Sequence, residues 1–457
     1  MKHLYQLVGL IITAMMSSSL SAGDTLTDPD TALTMLNKQN EQFEQQVIKV
    51  SERVFTAVGF HGANTSMVVG DDGVVIIDTL LGPASAQNAY DALRQHSDLP
   101  VKAIIYTHSH PDHIGGASVF AAASKPDVYA SHGFGVAANI SKAVNPIILE
   151  RGIRQFGRKL PPAERTNRGL APANTIDNDR GKGFLAPTIR IPESGLKTTI
   201  AGVDFEFQMG PGETDDAMFI WLPAENVLFT GDNFYQAFPN LYAIRGTPYR
   251  NVMDWSNSVA SMVGLNAEHL VPGHTMPIAG AENVKAALEG YSDAIRSVYE
   301  QTVAGINMGK GPDQIAHEVE LSVNLDEKPY LTQFYGTVPH AVRAIYAGLV
   351  GWFDGNPVNL NRFAPEDEAK RMAALAGGAG ALMAQMQSAL DAQDYQWALE
   401  LADHLRWLDD VDQASVRSAR IVALRALAAR EYNAPNRNYY LSYANELEAG
   451  ALDQRWR

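Results

Sequence analysis

The apolar positions of this chain change rhythm three times. From about Gln46 to Asp78 they fall in short runs, VIKVSERVFTAV, NTSMVVG and GVVIIDT, broken by Gly and Asp, a pattern that predicts strands joined by tight turns. The next unit differs: SAQNAYDALRQH has helical spacing, and VKAIIYT is a continuous apolar run that predicts a buried strand delivering the chain to His108. Strand signals resume in TIRIPES, LKTTIAG, VDFEFQMG, AMFIWLP and NVLFTGD, which read as a second sheet, and NVKAALEGYSDAIRSVYEQTVAGI predicts a helix closing the domain. Between these groups, Phe156 to Pro187 carries Gly and Pro without a period, the signature of a long loop of the kind that borders active sites.

Beyond about Leu331 the strand signals largely stop. AVRAIYAGLVGWF, MAALAGGAGALMAQMQSALDAQ and QWALELADHLRWL all repeat at helical spacing, so the last third is predicted to be all helical. DAQDYQWALELADHLRWLDD has the character of a tetratricopeptide-like helix pair, with too few units for a solenoid, and a compact bundle is expected. Trp352, Phe353, Trp397 and Trp407 are assigned to core and dimer packing rather than to a ligand groove. The expected organisation is a leader over 1–22, an α/β catalytic domain over 23–325 and a helical domain over 326–457.

Composition narrows the chemistry. The 457 residues are 46% hydrophobic and 19% charged, which describes a packed globular protein large enough for two domains. With no cysteine there are no disulfides, thiolate sites or cysteine nucleophiles, so metal ligands must be His, Asp or Glu. A net charge of -15 argues against nucleic acid and anionic membranes as partners. Lys2, the apolar run Leu4 to Met16 and small residues up to Ala22 read as a secretory signal peptide, so a periplasmic or secreted protein without a membrane span is expected.

The most specific signal is THSHPDHIGG, which places His108, His110, Asp112 and His113 within six residues after a predicted strand, followed by a Gly pair suited to a tight turn. His108 and His110 can serve one metal while Asp112 and His113 serve another. Imidazole and carboxylate suit zinc or a similar divalent ion, and a pair of such ions can drive hydrolysis.

In this motif the chain resembles the metallo-β-lactamase superfamily, which implies an αββα sandwich and a hydrolase. Asp78 at the end of GVVIIDT matches the strand that buttresses the metal loop. The resemblance also supplies three further ligands: Glu213 in GPGETDD, Asp232 in FTGDN as the bridging carboxylate, and His274 in VPGH. Within the superfamily the chain is similar to the alkylsulfatases, which cleave sulfate esters of alkyl chains and use glutamate at the position of Glu213. Their Asn-x-x-x-x-Arg-Gly element stands here as Asn240 to Gly246, with Arg245, and Tyr335 to Pro357 looks like their dimerisation region. That likeness implies two Zn(2+) per chain, a small-molecule sulfate ester as substrate and a homodimer. Asp232 departs from the family's usual glutamate, and after Arg457 there is no room for the sterol-carrier-like domain of longer members, so a short form is expected.

The implied mechanism uses a hydroxide made available near neutral pH, since zinc lowers the pKa of bound water to about 7. Asp112 and Asp232 are counted among the catalytic residues as ligands of the metals that carry it, Asn240 and Arg245 would neutralise the sulfate, and His340 and Tyr335 are candidates for protonating or orienting the leaving oxygen. The rivals are another hydrolase of the same fold, acting on a β-lactam, lactone, thioester or phosphoester, and a non-catalytic periplasmic binding protein.

Overall fold

The computed structural model describes residues 25–135 and 142–450. The leader over 1–22 lies outside the described residues. Thirteen strands among the described residues build two sheets. The first contains β1 (Gln46–Lys49), β2 (Val54–Val58), β3 (Thr65–Val69), β4 (Val74–Ile77), β5 (Val101–Ile105), β6 (Asp127–Ser131) and β7 (Ile189–Ile191), paired in that order. The second contains β8 (Leu196–Ile200), β9 (Val203–Met209), β10 (Met218–Leu222), β11 (Val227–Gly231), β12 (His269–Pro272) and β13 (Ile278–Ala279).

One strand departs from the sequence reading. TIRIPES does not open the second sheet, because β7 pairs in parallel with β6, Tyr129 standing opposite Ile189. The aperiodic loop from Phe156 to Pro187 carries the chain back to the free edge of β6, and such a long-range pairing leaves no trace in local periodicity.

The continuous apolar runs are explained by burial on both faces. Val75, Ile77, Met218, Ile220 and Phe229 point between the sheets, while Val74 and Ile76 face a helical layer on one side and Phe219 and Trp221 face the layer on the other. The helix Pro83–Leu93 covers the first sheet through Ala86, Ala89 and Leu93. Helices Val252–Val263 and Ala281–Asn307 cover the second, with Trp255, Val259, Leu288 and Tyr291 in its core. This is the expected αββα sandwich.

The last third is helical, as expected. Ala369, Ala373, Leu382, Met386, Leu401, Ala402, Leu405 and Ala423 make one core, where small side chains let the helices approach closely. The helix Ala434–Glu448 then turns back onto the sandwich. Glu446 accepts hydrogen bonds from Arg154 Nε at 3.0 and 3.1 Å, and Asn438 Nδ2 donates to the Asn167 carbonyl at 3.1 Å. Just before that helix, Asn433 Nδ2 donates to the carbonyls of Gln333 and Tyr335 at 2.7 and 3.0 Å. The carboxyl-terminal helix thus fastens two loops that reach the cavity described below. No helix among the described residues is long and apolar enough to cross a membrane.

Ile220 is fully buried between the sheets. Ile220→Ala should lower stability by about 2–5 kcal/mol, against about 0.5 kcal/mol or less for Lys197→Ala on the exposed edge, as read from urea unfolding. Equal losses would contradict the packing.

Candidate metal centre

Four strand ends meet at one edge of the sandwich. β4 and β5 are parallel neighbours in one sheet, and β11 and β12 are parallel neighbours in the other, so each pair presents its carboxyl ends together. Those ends carry Asp78, His108, Asp232 and His274.

Asp78 organises the first loop. Its Oδ1 accepts from the Thr107 N–H at 2.8 Å, and its Oδ2 accepts from Thr107 Oγ1 at 2.8 Å and His113 Nδ1 at 2.7 Å. Holding a proton on Nδ1 leaves the Nε2 lone pair of His113 facing the centre. Asp78 sits at φ 57°, a left-handed backbone that this bond set sustains. The Gly115 and Gly116 pair does not make a tight turn through unusual backbone angles, since their φ values are -78° and -110°. Side chains there would run into the Leu81 and Thr79 carbonyls, so close approach is the reason for glycine. A side chain at Gly273 would likewise overlap Asp232 Oδ1.

The ligand-type atoms converge without bonding one another well. Asp232 Oδ1 lies 3.2 Å from His113 Nε2, and Oδ2 lies 3.3 Å from His274 Nε2, 3.5 Å from His108 Nε2 and 3.9 Å from His110 Nδ1. His274 Nε2 is 3.7 Å from Asp112 Oδ2. Two donors bound tetrahedrally to one ion at 2.0–2.1 Å stand about 3.3 Å apart, so these are the spacings of a coordination shell. His108 Nε2, His113 Nε2, Asp232 Oδ1 and Glu213 Oε2 are buried with no hydrogen-bond partner, which is costly unless a cation satisfies them. The residues fall into two sets, His108, His110 and Asp232, and Asp112, His113 and His274. They fit a pair of divalent ions sharing Asp232. Glu213 stands at the rim of the first set, with Oε1 3.9 Å from His110 Nδ1 and Oε2 free to face an ion.

Burial pushes Asp232 and Asp112 up, but the His113 and His274 imidazoles outweigh it and hold both carboxyls well below the usual range. Burial pushes His113 and His274 down, yet Asp232 with Asp78 holds His113 well above its ordinary value, and Asp232 with Asp112 raises His274 to about 9. A divalent cation would displace those protons.

One open cavity runs from this centre to solvent, lined by His110, Asp112, Glu213, Asp232 and His274 at its floor. Arg245 and Tyr335 also line it. Asn240 is buried and absent from the lining, its main chain fixed by Tyr235 Oη at 2.7 Å and by the Arg250 guanidinium. His340 is also absent from the lining, and burial together with Arg343 lowers its pKa to about 4. Arg250 was not singled out by sequence reasoning, because no motif marks it. Its Nη2 lies 3.0 Å from Glu213 Oε1, so it anchors one oxygen of Glu213 and leaves the other for the centre. The loop Phe156 to Pro187 contributes Phe156, Arg158, Arg168, Leu170, Ala171 and Arg180, and does border the cavity.

Residues 58–274 match the metallo-beta-lactamase superfamily, and residues 311–450 match the alkyl sulfatase dimerisation family. A linear primary-alkylsulfatase from a Pseudomonas strain is 34% identical over 84% of this chain and 73% of its own length. An (R)-specific secondary-alkylsulfatase from Pseudomonas sp. is 32% identical over 88% of this chain, which spans 63% of that relative. Among solved structures, the stereoselective inverting sec-alkylsulfatase Pisa1 from Pseudomonas sp. superposes with a TM-score of 0.84 at 31% identity, covering 95% of this chain and 69% of the other.

Asp78→Asn keeps the shape and removes the charge behind His113. Metal affinity, measured by competition with a chelating dye, should fall about 10- to 100-fold. Unchanged affinity would contradict the role given to Asp78.

Proposed function

The chain belongs to the alkylsulfatases of the metallo-β-lactamase superfamily, and from that membership we propose that it is an exported, dimeric hydrolase releasing sulfate from alkyl sulfate esters. The observation that carries this reading is the placement of Arg245 and Tyr335 in the wall of the cavity whose floor is the two-set centre. We assign His108, His110, Glu213 and Asp232 to one metal and Asp112, His113, His274 and Asp232 to the other, with zinc in both. Bound there, two zinc ions would supply Lewis acidity and lower the pKa of a water to about 7.

The side chains divide the remaining work. Arg245 meets the sulfate: its Nη1 is buried without a hydrogen-bond partner, its backbone N–H donates to Gln155 Oε1 at 3.0 Å, and its guanidinium packs 5.8 Å from the centre of the Phe156 ring. A planar cation fixed in this way suits a tetrahedral oxyanion. Burial pushes the Tyr335 hydroxyl up to about 12, so it stays protonated at neutral pH and can donate to the ester oxygen. That placement favours Tyr335 over His340 for the leaving oxygen. Leu81, Ile148, Leu149 and Leu170 give the organic part an apolar wall and keep bulk water from it. Asn240 acts through its main chain, as the acceptor that orients Arg250 and through it Glu213.

Export is inferred from the leader over 1–22, and dimerisation from the family match over 311–450. Trp352 is 75% exposed and its ring meets only that of Phe353, at 5.7 Å, among the ring contacts of the described residues, so it belongs to no core and suits a second copy of this chain.

Purified protein is expected to release sulfate from hexyl or dodecyl sulfate, to lose turnover on chelation and to regain it with zinc. Turnover of a chromogenic β-lactam with no sulfate release would overturn the reading. Arg245→Met should cut kcat/KM for alkyl sulfates by about 10- to 100-fold while metal content is kept. Light scattering should give a dimer, weakened by Trp352→Glu, and a monomeric wild type would contradict the assembly.

A further inference from the structure

The wall of the cavity carries more arginines than one sulfate needs. Arg158, Arg168 and Arg180 line it together with Arg245. Their one carboxylate neighbour in the lining loop is Asp177, whose Oδ2 lies 2.7 Å from Arg168 Nη1 and 3.8 Å from Arg158 Nε, while Oδ1 faces His61 Nε2 at 3.1 Å. Asp179 is engaged elsewhere, accepting from the Ala84 N–H at 2.6 Å. Arg158 and Arg168 thus share Asp177, Asp112 acts on Arg158 from the floor of the cavity, and Arg180 adds a third cation beside Arg158.

Arg158 and Arg168 are not solvated surface arginines, whereas Arg180 is exposed at the mouth of the same cavity. The Nε atoms of Arg158 and Arg168 are buried without hydrogen-bond partners, and Arg168 is only 7% exposed. Burial, followed by repulsion from Arg180, lowers the Arg158 pKa to about 10. The loop that carries Arg168 is held in place: Asn167 Nδ2 donates to Leu36 O at 3.1 Å, and Asn438 Nδ2 donates to Asn167 O. A wall with more guanidiniums than paired carboxylates, part of it held in place before binding, is the arrangement that recognises an anion.

Its distance from the sulfate position is bounded. Arg158 and Arg245 sit at 5.4 and 5.8 Å from the centre of the same Phe156 ring, so their guanidiniums are within about 11 Å of one another. A single small molecule can reach both.

We propose that Arg158, Arg168 and Arg180 form a second anion site in this cavity, and that the preferred sulfate esters carry a further anionic group, a carboxylate or a second sulfate, on the organic part. The proposal rests on the sulfate-ester reading given above. It departs from a plain alkyl chain as the favoured substrate, because a methyl terminus leaves the buried Nε–H groups of Arg158 and Arg168 without an acceptor.

The test separates the two claims. Metal-loaded enzyme is given hexyl, octyl and decyl sulfates, each beside its ω-carboxylated and ω-sulfated analogue, and sulfate release is followed. In parallel, binding of the corresponding alkyl sulfonates and ω-carboxyalkyl sulfonates, which cannot be hydrolysed, is measured by calorimetry. At least one doubly anionic compound should be preferred by about tenfold or more in kcat/KM and in Kd. In the Arg158→Met/Arg180→Ser double variant, which leaves the buried Arg168–Asp177 pair intact, the preference should fall toward unity. Equal binding of singly and doubly charged sulfonates at every length, or a preference that survives in the double variant, overturns the second site even if alkyl sulfates are cleaved. Absence of sulfate release together with a tenfold binding preference would overturn the sulfatase reading and leave the anion site standing.

Discussion

The centre depends on one buried carboxylate at the seam between two sheets. Asp232 is 4% exposed, and its two oxygens face His113 on one side and His108 and His274 on the other. A charge so placed is tolerated only when compensated on several sides, which requires the loops of both sheets to arrive in register. Parallel pairing of β4 with β5 and of β11 with β12 brings them there. The αββα sandwich can therefore be seen as the frame that holds Asp232 between two sets of imidazoles.

The supporting shell follows the same logic. Asp78 stands behind His113 and Arg250 behind Glu213, while the carbonyls of Gly62 and Leu170 lie 2.8 and 3.2 Å from His274 Nδ1. Each partner fixes which nitrogen or oxygen is left for the centre. The helical region enters this chain of support through the helix Ala434–Glu448 and Asn433 just before it, which secure the loop at Asn167 and the main chain at Tyr335 respectively. Distant parts of the sequence thus set the shape of one cavity.

Much of this was legible in the residues because it is local. The His108 to His113 motif lies on one loop, and the continuous apolar runs of GVVIID and AMFIWL need burial on both faces, which a covered sandwich provides. What escaped depends on long-range pairing. β7 reads locally like any second-sheet strand, and only its partner places it in the first. Arg250 and the arginines at 158, 168 and 180 carry no motif, and their meaning lies in what they face after folding. Asn240 and His340 were selected by a sequence element or a residue type, yet neither lines the cavity, since linear proximity to Arg245 or Tyr335 does not fix direction.

We propose that Asp232 joins two metal positions built from the sets His108, His110 and Asp232, and Asp112, His113 and His274. Anomalous diffraction from crystals of the metal-loaded protein, recorded at the zinc edge, tests it most directly. Two peaks should flank Asp232, about 3.5 to 4 Å apart. A single peak, or peaks that leave Asp232 without a metal contact, would contradict it.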